Sequence, residues 1–470
     1  MSKHPTITTS KSATDQVTCI SPIDGSTYAV RPLLTTGAAQ DALARAHNAQ
    51  QAWQDRPLPA RIELVRAGIA RLGEMNDKII PELAWQMGRP VRFGGEFGGV
   101  EERGNHMADI ASEALDTLMI EDSTQAKRMI TREPHGLVLV IAPWNYPFLT
   151  AVNTVVPALI AGNGVILKSA SQTPLAGERL AQAFHQAGVP EDLFQHLFLD
   201  HQTIANLMAS RAFDYINFTG SVAGGRAVER IAAGTFTPIG LELGGKDPGY
   251  VMADADLNIA AETLIDGAMF NSGQCCCGIE RIYVAARRWD DFLAKALDIT
   301  QNLVLGNPLD HDTTLGPMAH VRFAAHVREQ IEKAVASGAV AHLPSLPADD
   351  GQAYLSPQIL TRTSHDMAIM RDETFGPVVG LMKVRDDDEA VALMNDSPYG
   401  LTASLWTRDV ERAQAIGRRL QTGTVFMNRA DYLDPALCWT GRKDTGRGAA
   451  LSVLGYHHLT QPKSYHLRLP

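Results

Sequence analysis

Leu137-Val138-Leu139-Val140-Ile141 is an unbroken apolar run, and it constrains the fold more than any other stretch of the chain. A strand without polar alternation has to be covered on both faces, as inside a parallel sheet flanked by helices. The following residues continue the pattern. Pro143-Trp144-Asn145-Tyr146-Pro147 turns the chain into a helix over 150–161, and Val165-Ile166-Leu167, ending at Lys168, reads as the next buried strand. A helix over 173–187 stops at Gly188 and Pro190. Strands over 197–199, 215–218 and 237–243 alternate with a helix over 203–209 and another entered from the turn at 220–225. This alternation predicts an α/β protein with a doubly wound parallel sheet. A second set begins with a strand over 281–285 and helices over 289–303 and 324–337. Val378-Val379-Gly380-Leu381, a helix over 388–395 and strands over 402–406 and 423–428 complete it. Two such lobes predict a cleft between them. The front of the chain reads as all-helical, over 36–53, 61–87 and 101–118, and 129–133 reads as a strand.

At 470 residues the chain exceeds what one core organises. Its net charge of −10 argues against nucleic acid and anionic membrane as partners. No apolar run approaches the ~20 residues of a membrane span. Residues 1–16 are Ser/Thr-rich with no apolar stretch and read as a flexible tail rather than a leader. Five cysteines, three of them consecutive, make no disulfide framework, so a reducing cytoplasm is expected.

Those three cysteines carry the chemistry. Cys275, Cys276 and Cys277 follow Gly273-Gln274, where a glycine allows a tight turn and brings amide N–H groups close to a bound oxygen. Upstream, Glu242 ends the apolar run Leu241-Glu242-Leu243-Gly244-Gly245-Lys246. A thiol and a carboxylate of this kind suit a nucleophile and a base. Consecutive cysteines cannot wrap one zinc as C-x-x-C does, so no metal is expected.

Taken together, the motifs resemble the non-acylating aldehyde dehydrogenases of the NAD(P)-dependent superfamily, from about residue 24 to the C-terminus. The resemblance rests on Pro143-Trp144-Asn145, on Lys168 before Gln172-Thr173-Pro174, on Phe218-Thr219-Gly220-Ser221 with Gly225, and on 241–246. Gly273 to Cys277 with Arg281, Glu373-Thr374-Phe375-Gly376-Pro377 and Asn428 complete it. It implies a catalytic Cys276 that forms a thiohemiacetal and then a thioester. Asn145 is the implied oxyanion donor, and Glu242 activates the hydrolytic water. NAD or NADP would be held by Ala142, Trp144, Lys168, Ser171, Gly220, Ser221, Gly225, Leu243, Glu373 and Phe375. A small-molecule aldehyde would enter a tunnel lined by Tyr146, Thr150, Asn153, Cys275, Cys277, Asp431, Leu433 and Trp439. The implied organisation is a dinucleotide-binding domain over 17–116 and 135–243, a catalytic domain over 244–450, and a small β arm over 117–134 and 451–470 that builds a homodimer or homotetramer. An acylating, CoA-dependent semialdehyde dehydrogenase and a non-catalytic relative are the competing readings; Glu242 speaks against the first, the full set of chemistry residues against the second.

Several positions depart from the family pattern. Ser171 stands where many NAD-preferring members carry Glu, so NADP should be accepted as well. Leu199-Asp200-His201 replaces a Gly-rich turn. Thr154 and Ala450 occupy the places of a Lys–Glu pair behind the catalytic Glu. Asn153 stands where oxidisers of succinic semialdehyde often have Arg, which argues against a carboxylate-bearing aldehyde unless Arg429 substitutes. Asp431 could attract a cationic aminoaldehyde. Arg281 is expected to be structural and His457-His458 to lie at the surface.

Overall fold

The computed structural model describes residues 15–343 and 351–470. The expected tail therefore lies outside the described residues up to 14, and Gln16 already belongs to a strand, Gln16–Ile20. This strand pairs antiparallel with Thr27–Pro32, a hairpin that an all-helical front did not anticipate. The front helices are Thr36–Gln54, Leu58–Glu74, Asn76–Met87 and Phe97–Ala114. The last begins and ends four residues earlier than its periodicity suggests, because Leu118 opens a strand, Leu118–Asp122.

Leu137–Ile141 lies between Gly164–Lys168 and Tyr215–Thr219, parallel to both. Phe194–His196 and Ile239–Glu242 extend this sheet on either side, and Gly446–Arg447 returns from far down the chain to pair antiparallel with Glu242 and Leu241. The strand expected over 197–199 sits three residues earlier: Phe194 is fully buried, and Asp200 instead caps the helix His201–Ala209 by accepting from the Thr203 amide. The second sheet has the order Val340–Ala341, Gln358–Thr361, Val378–Val384, Ile279–Ala285, Asp247–Val251, Thr402–Trp406, Thr424–Met427. It is parallel apart from the first pair. Asp247–Val251 carries Pro248 and Gly249, residues that weaken a strand signal, yet it forms a fully buried strand inside the sheet.

The helix Pro147–Ala161 fixes the site. Pro147 at its first turn has no N–H to leave unpaired, and Gly162 ends it at φ 101°. Its residues from Ala151 to Ala161 are all buried, against the sheet on one side and Phe97–Ala114 on the other. Its buried Val, Leu and Ile side chains contribute roughly 1.5–3 kcal/mol each. A third sheet stands apart: Thr460–Arg468 pairs along its whole length with Ala126–Pro134, and Leu118–Asp122 forms the far edge.

Candidate active site

A strained turn presents the cysteines. Asn271, Ser272 and Gly273 run consecutively through positive φ, at 53°, 57° and 69°. Gly273 is required there, since a Cβ would fall 2.2 Å from the Gly376 carbonyl oxygen. Gln274 fastens the turn, its Nε2 donating to the Asn271 carbonyl and its Oε1 accepting from the Ala319 amide. Cys275 and Cys277 are buried and Cys276 is partly exposed. Both flanking thiols reach Asp431 Oδ1, at 3.2 and 2.9 Å. Hydrogen bonds from Cys275 and Cys277 hold the Cys276 thiol down at about 6, against the opposing pull of burial. Each flanking thiol has one proton, so one that donates to Asp431 cannot serve Cys276 in the same arrangement. Burial pushes the Asp431 carboxyl well above the usual carboxylate range.

Asn145 sits at the entry to Pro147–Ala161. Its Nδ2 donates to the Gln274 carbonyl at 3.1 Å, which leaves the second amide hydrogen for another acceptor. Two residues with no local motif hold it. Glu96 Oε2 accepts from the Phe148 and Leu149 amides, capping the helix with a carboxylate. Glu96 also pairs with Arg89 at 2.9 Å, and Arg89 Nη2 donates to the Asn145 carbonyl at 2.6 Å while its guanidinium lies over the Tyr146 ring. Sequence reasoning missed this buried pair because its partners lie about fifty residues from Asn145 along the chain and share no spacing signal with it.

Glu242 ends its strand beside Gly446, where a Cβ would meet the Leu241 carbonyl oxygen at 2.2 Å. Burial raises the Glu242 carboxyl to about 7, with the Arg103 charge and a Thr219 hydrogen bond opposing it. Thr154 and Ala450 are buried. Arg281 makes backbone contacts, to the carbonyls of Lys246, Leu393 and Met394, as a structural residue should.

Two cavities meet at this centre. One is lined by Tyr146, Thr150, Asn153, Cys275, Cys277, Asp431, Leu433 and Trp439, together with Arg103, Leu149, Phe270 and Leu401. The other is lined by Trp144, Gly220, Ser221, Leu243, Glu373 and Phe375, together with Phe323 and His326. Cys276, Glu242, Thr150, Thr219 and Leu243 border both. Of the remaining expected cofactor positions, Lys168 ends its strand and donates to the Ser169 carbonyl, Ala142 bonds back to the Lys168 carbonyl, Ser171 is exposed, and Gly225 packs under Leu243. None of these four lines the second cavity.

The second cavity suits a dinucleotide. The helix Val222–Ala232 starts at its rim, and Ser221 caps it by accepting from the Gly224 amide, so the positive helix end faces the cleft. Trp144 stacks on Phe323 and meets Phe375 edge-on, giving aromatic walls. Glu373 accepts from the Gly245 amide, and burial raises its carboxyl to about 8. A Cβ on Gly244 would fall 2.2 Å from that carboxylate, so the backbone is kept bare there. The buried pair Lys246–Glu280 holds the segment: Glu280 accepts from the Thr374 and Phe375 amides, and Lys246 donates to the Thr374 hydroxyl.

The profile of the Aldehyde dehydrogenase family matches residues 8–465. The chain belongs to this family. Over 445 residues it is 31% identical to the NADP+ succinate-semialdehyde dehydrogenase of Deinococcus radiodurans, covering 94% of this chain and 93% of that one. An NAD-dependent aldehyde dehydrogenase from Sinorhizobium meliloti superposes with a TM-score of 0.92 at 30% identity, over 97% of this chain and 92% of the other. An NADP-dependent glyceraldehyde-3-phosphate dehydrogenase from Bacillus halodurans, solved with NADP, gives 0.91 at 31%, over 97% and 96%. Among the described residues of this aldehyde dehydrogenase, no helix is long and apolar enough to cross a membrane.

Proposed function

We propose that the chain oxidises an aldehyde to the carboxylic acid with NAD+ or NADP+, through covalent catalysis by Cys276 and hydrolysis by Glu242. The observation that carries this is the junction of two cavities at one thiol and one carboxyl. Hydrogen bonds from a neighbouring thiol lower the Cys276 thiol and favour its thiolate, which attacks the aldehyde carbon to give a thiohemiacetal. The oxyanion meets the free Asn145 amide hydrogen and the Cys276 backbone N–H. The bound dinucleotide supplies the acceptor for the hydride this adduct loses in becoming a thioester. Glu242, at about 7, takes a proton from the water that attacks the thioester, and the acid leaves. No CoA is needed.

Trp144, Gly220, Ser221, Leu243, Glu373 and Phe375 would hold the dinucleotide in the second cavity, and Lys168 and Ser171, outside that cavity, are the residues the resemblance assigns to the adenosine ribose. With a hydroxyl at 171 in place of a carboxylate, a 2′-phosphate is tolerated and NADP is used beside NAD. The division into a dinucleotide-binding domain over 17–116 and 135–243, a catalytic domain over 244–450 and an arm over 117–134 and 451–470 belongs to this proposal. The arm builds a homodimer or homotetramer: Leu118, Met119 and Ile120, 59%, 47% and 52% exposed on its edge strand, supply an apolar, pairing-competent surface. The test is NAD(P)H formation across a short aldehyde panel without CoA, with Cys276→Ala as control. Turnover that persists in the variant, or that requires CoA, overturns the proposal.

A further inference from the structure

Arg103 sits on the helix Phe97–Ala114 and lines the aldehyde-side cavity together with Glu242 and Asp431. Its Nε is buried with no hydrogen-bond partner. Its Nη1 makes only a 3.5 Å contact with Asn153 Oδ1, and among the described residues it joins no ion pair. A guanidinium in this position normally finds a carboxylate or a phosphate, because its donors are expensive to leave unmet. Arg103 is half-buried, and two fully buried arginines of the site show the contrast. Arg89 has Glu96 and the Asn145 carbonyl, and Arg281 has three backbone carbonyls.

The neighbouring carboxyls do not fill the vacancy. Asp431 is turned toward the Cys275 and Cys277 thiols, and Glu102, one residue along the helix, is held by the Tyr432 hydroxyl at 2.5 Å. Glu242 is near enough to feel the charge but does not bond to it. Asp431 also makes a poor counter-charge for a cationic aminoaldehyde, since its oxygen is already engaged. Arg429, the other candidate cation, lies 3.6 Å from the Tyr432 ring and does not line this cavity.

Resting on the oxidation proposed above, we propose that Arg103 anchors the far end of the substrate and that the substrate class is an aliphatic aldehyde ending in an anionic group, carboxylate or phosphate. The guanidinium reaches the tunnel from a different helix than position 153, so the sequence argument against such substrates, made at Asn153, does not hold here. A bidentate fork fixes the anion, and the aldehyde carbon at the other end is then presented to Cys276.

Binding tests this without turnover. Titrating the wild-type enzyme calorimetrically with succinate, glycerol 3-phosphate and butanamide should show at least one anion bound roughly 30-fold more tightly than the neutral amide. Arg103→Met should erase that difference, and Arg103→Lys should restore part of it. Kinetically, kcat/KM for succinic semialdehyde or glyceraldehyde 3-phosphate should exceed that for butanal mainly through KM, and the ratio should collapse in Arg103→Met. Which anion wins distinguishes carboxylate from phosphate. Equal binding of both anions and the amide overturns the proposal. So does an Arg103→Met variant that keeps the anion-to-neutral ratio, which would make Arg103 a partner of Glu242 alone. Anion binding without oxidation of any aldehyde would sink the proposed reaction and leave this anchor standing.

Discussion

The two cavities that meet at Cys276 are built differently. The dinucleotide side draws on short runs: Trp144 beside Asn145, Gly220-Ser221 at a helix start, Glu373 to Phe375 in one segment. Backbone amides, bare glycines and a helix end do much of the work there. The aldehyde side gathers single side chains from Arg103, Asn153, Cys277, Asp431 and Trp439, spread over more than three hundred residues. A cavity made of backbone leaves a local motif in the sequence; a cavity made of scattered side chains is named only position by position through the resemblance, which supplied eight of its residues and not Arg103.

The strongest way to break this comparison is at the shared centre. Cys276→Ala should lower kcat/KM by ~10⁴-fold or more whichever aldehyde or cofactor is used, because no other group forms the adduct. A variant that still oxidises one aldehyde class would show that the cavities do not share a nucleophile. Glu242→Gln should slow steady-state turnover by ~10²–10⁴-fold while leaving a burst of NAD(P)H near one equivalent per site; loss of the burst would place Glu242 in the first half of the reaction instead. In the wild type, the base must be deprotonated to work, so hydrolysis-limited kcat should climb as pH rises through about 7 and fall below it.

Next come the supports behind Asn145. Arg89→Met leaves Glu96 buried with no counter-charge and should cost about 3–5 kcal/mol of stability, read as a lowered Tm. An unchanged Tm would mean the helix start holds without the pair. On the dinucleotide side alone, Ser171→Glu should swing the NADP-to-NAD ratio of kcat/KM by ~10–100-fold toward NAD. A wild-type enzyme already more than ~100-fold selective for NAD would refute the reading of this position. The smallest effect is expected at Thr219→Val: removing the hydrogen bond that lowers the Glu242 carboxyl should move the rising limb of the pH profile to higher pH. A limb that stays in place would remove Thr219 from the account.

Legibility follows the same physical line. Unbroken apolar runs gave central strands such as Leu137–Ile141 because burial on both faces favours apolar side chains. Asp247–Val251 escaped because proline and glycine at its centre mask a strand that the sheet nevertheless buries. The hairpin Gln16–Ile20 with Thr27–Pro32 escaped because its apolar residues do not alternate cleanly: Cys19 and Ala29 are buried while Ile20 and Val30 beside them are exposed. The residues proposed for the reaction come together around two cavities, but Arg89 and Glu96 were invisible, since a buried ion pair is defined by a partner in space.

By itself, the sequence determined the α/β class, the alternation of strands and helices around the central apolar runs, the family, and a thiol beside a glycine turn. These are local, set by side-chain period and backbone freedom. Only the tertiary structure decided which charges stand alone in the aldehyde-side cavity. It closed Asp431 onto two thiols, paired Arg89 with Glu96, and left Arg103 with an unmet nitrogen. Whether a charge is satisfied depends on which distant groups arrive within a few ångströms of it, and only the folded chain fixes that.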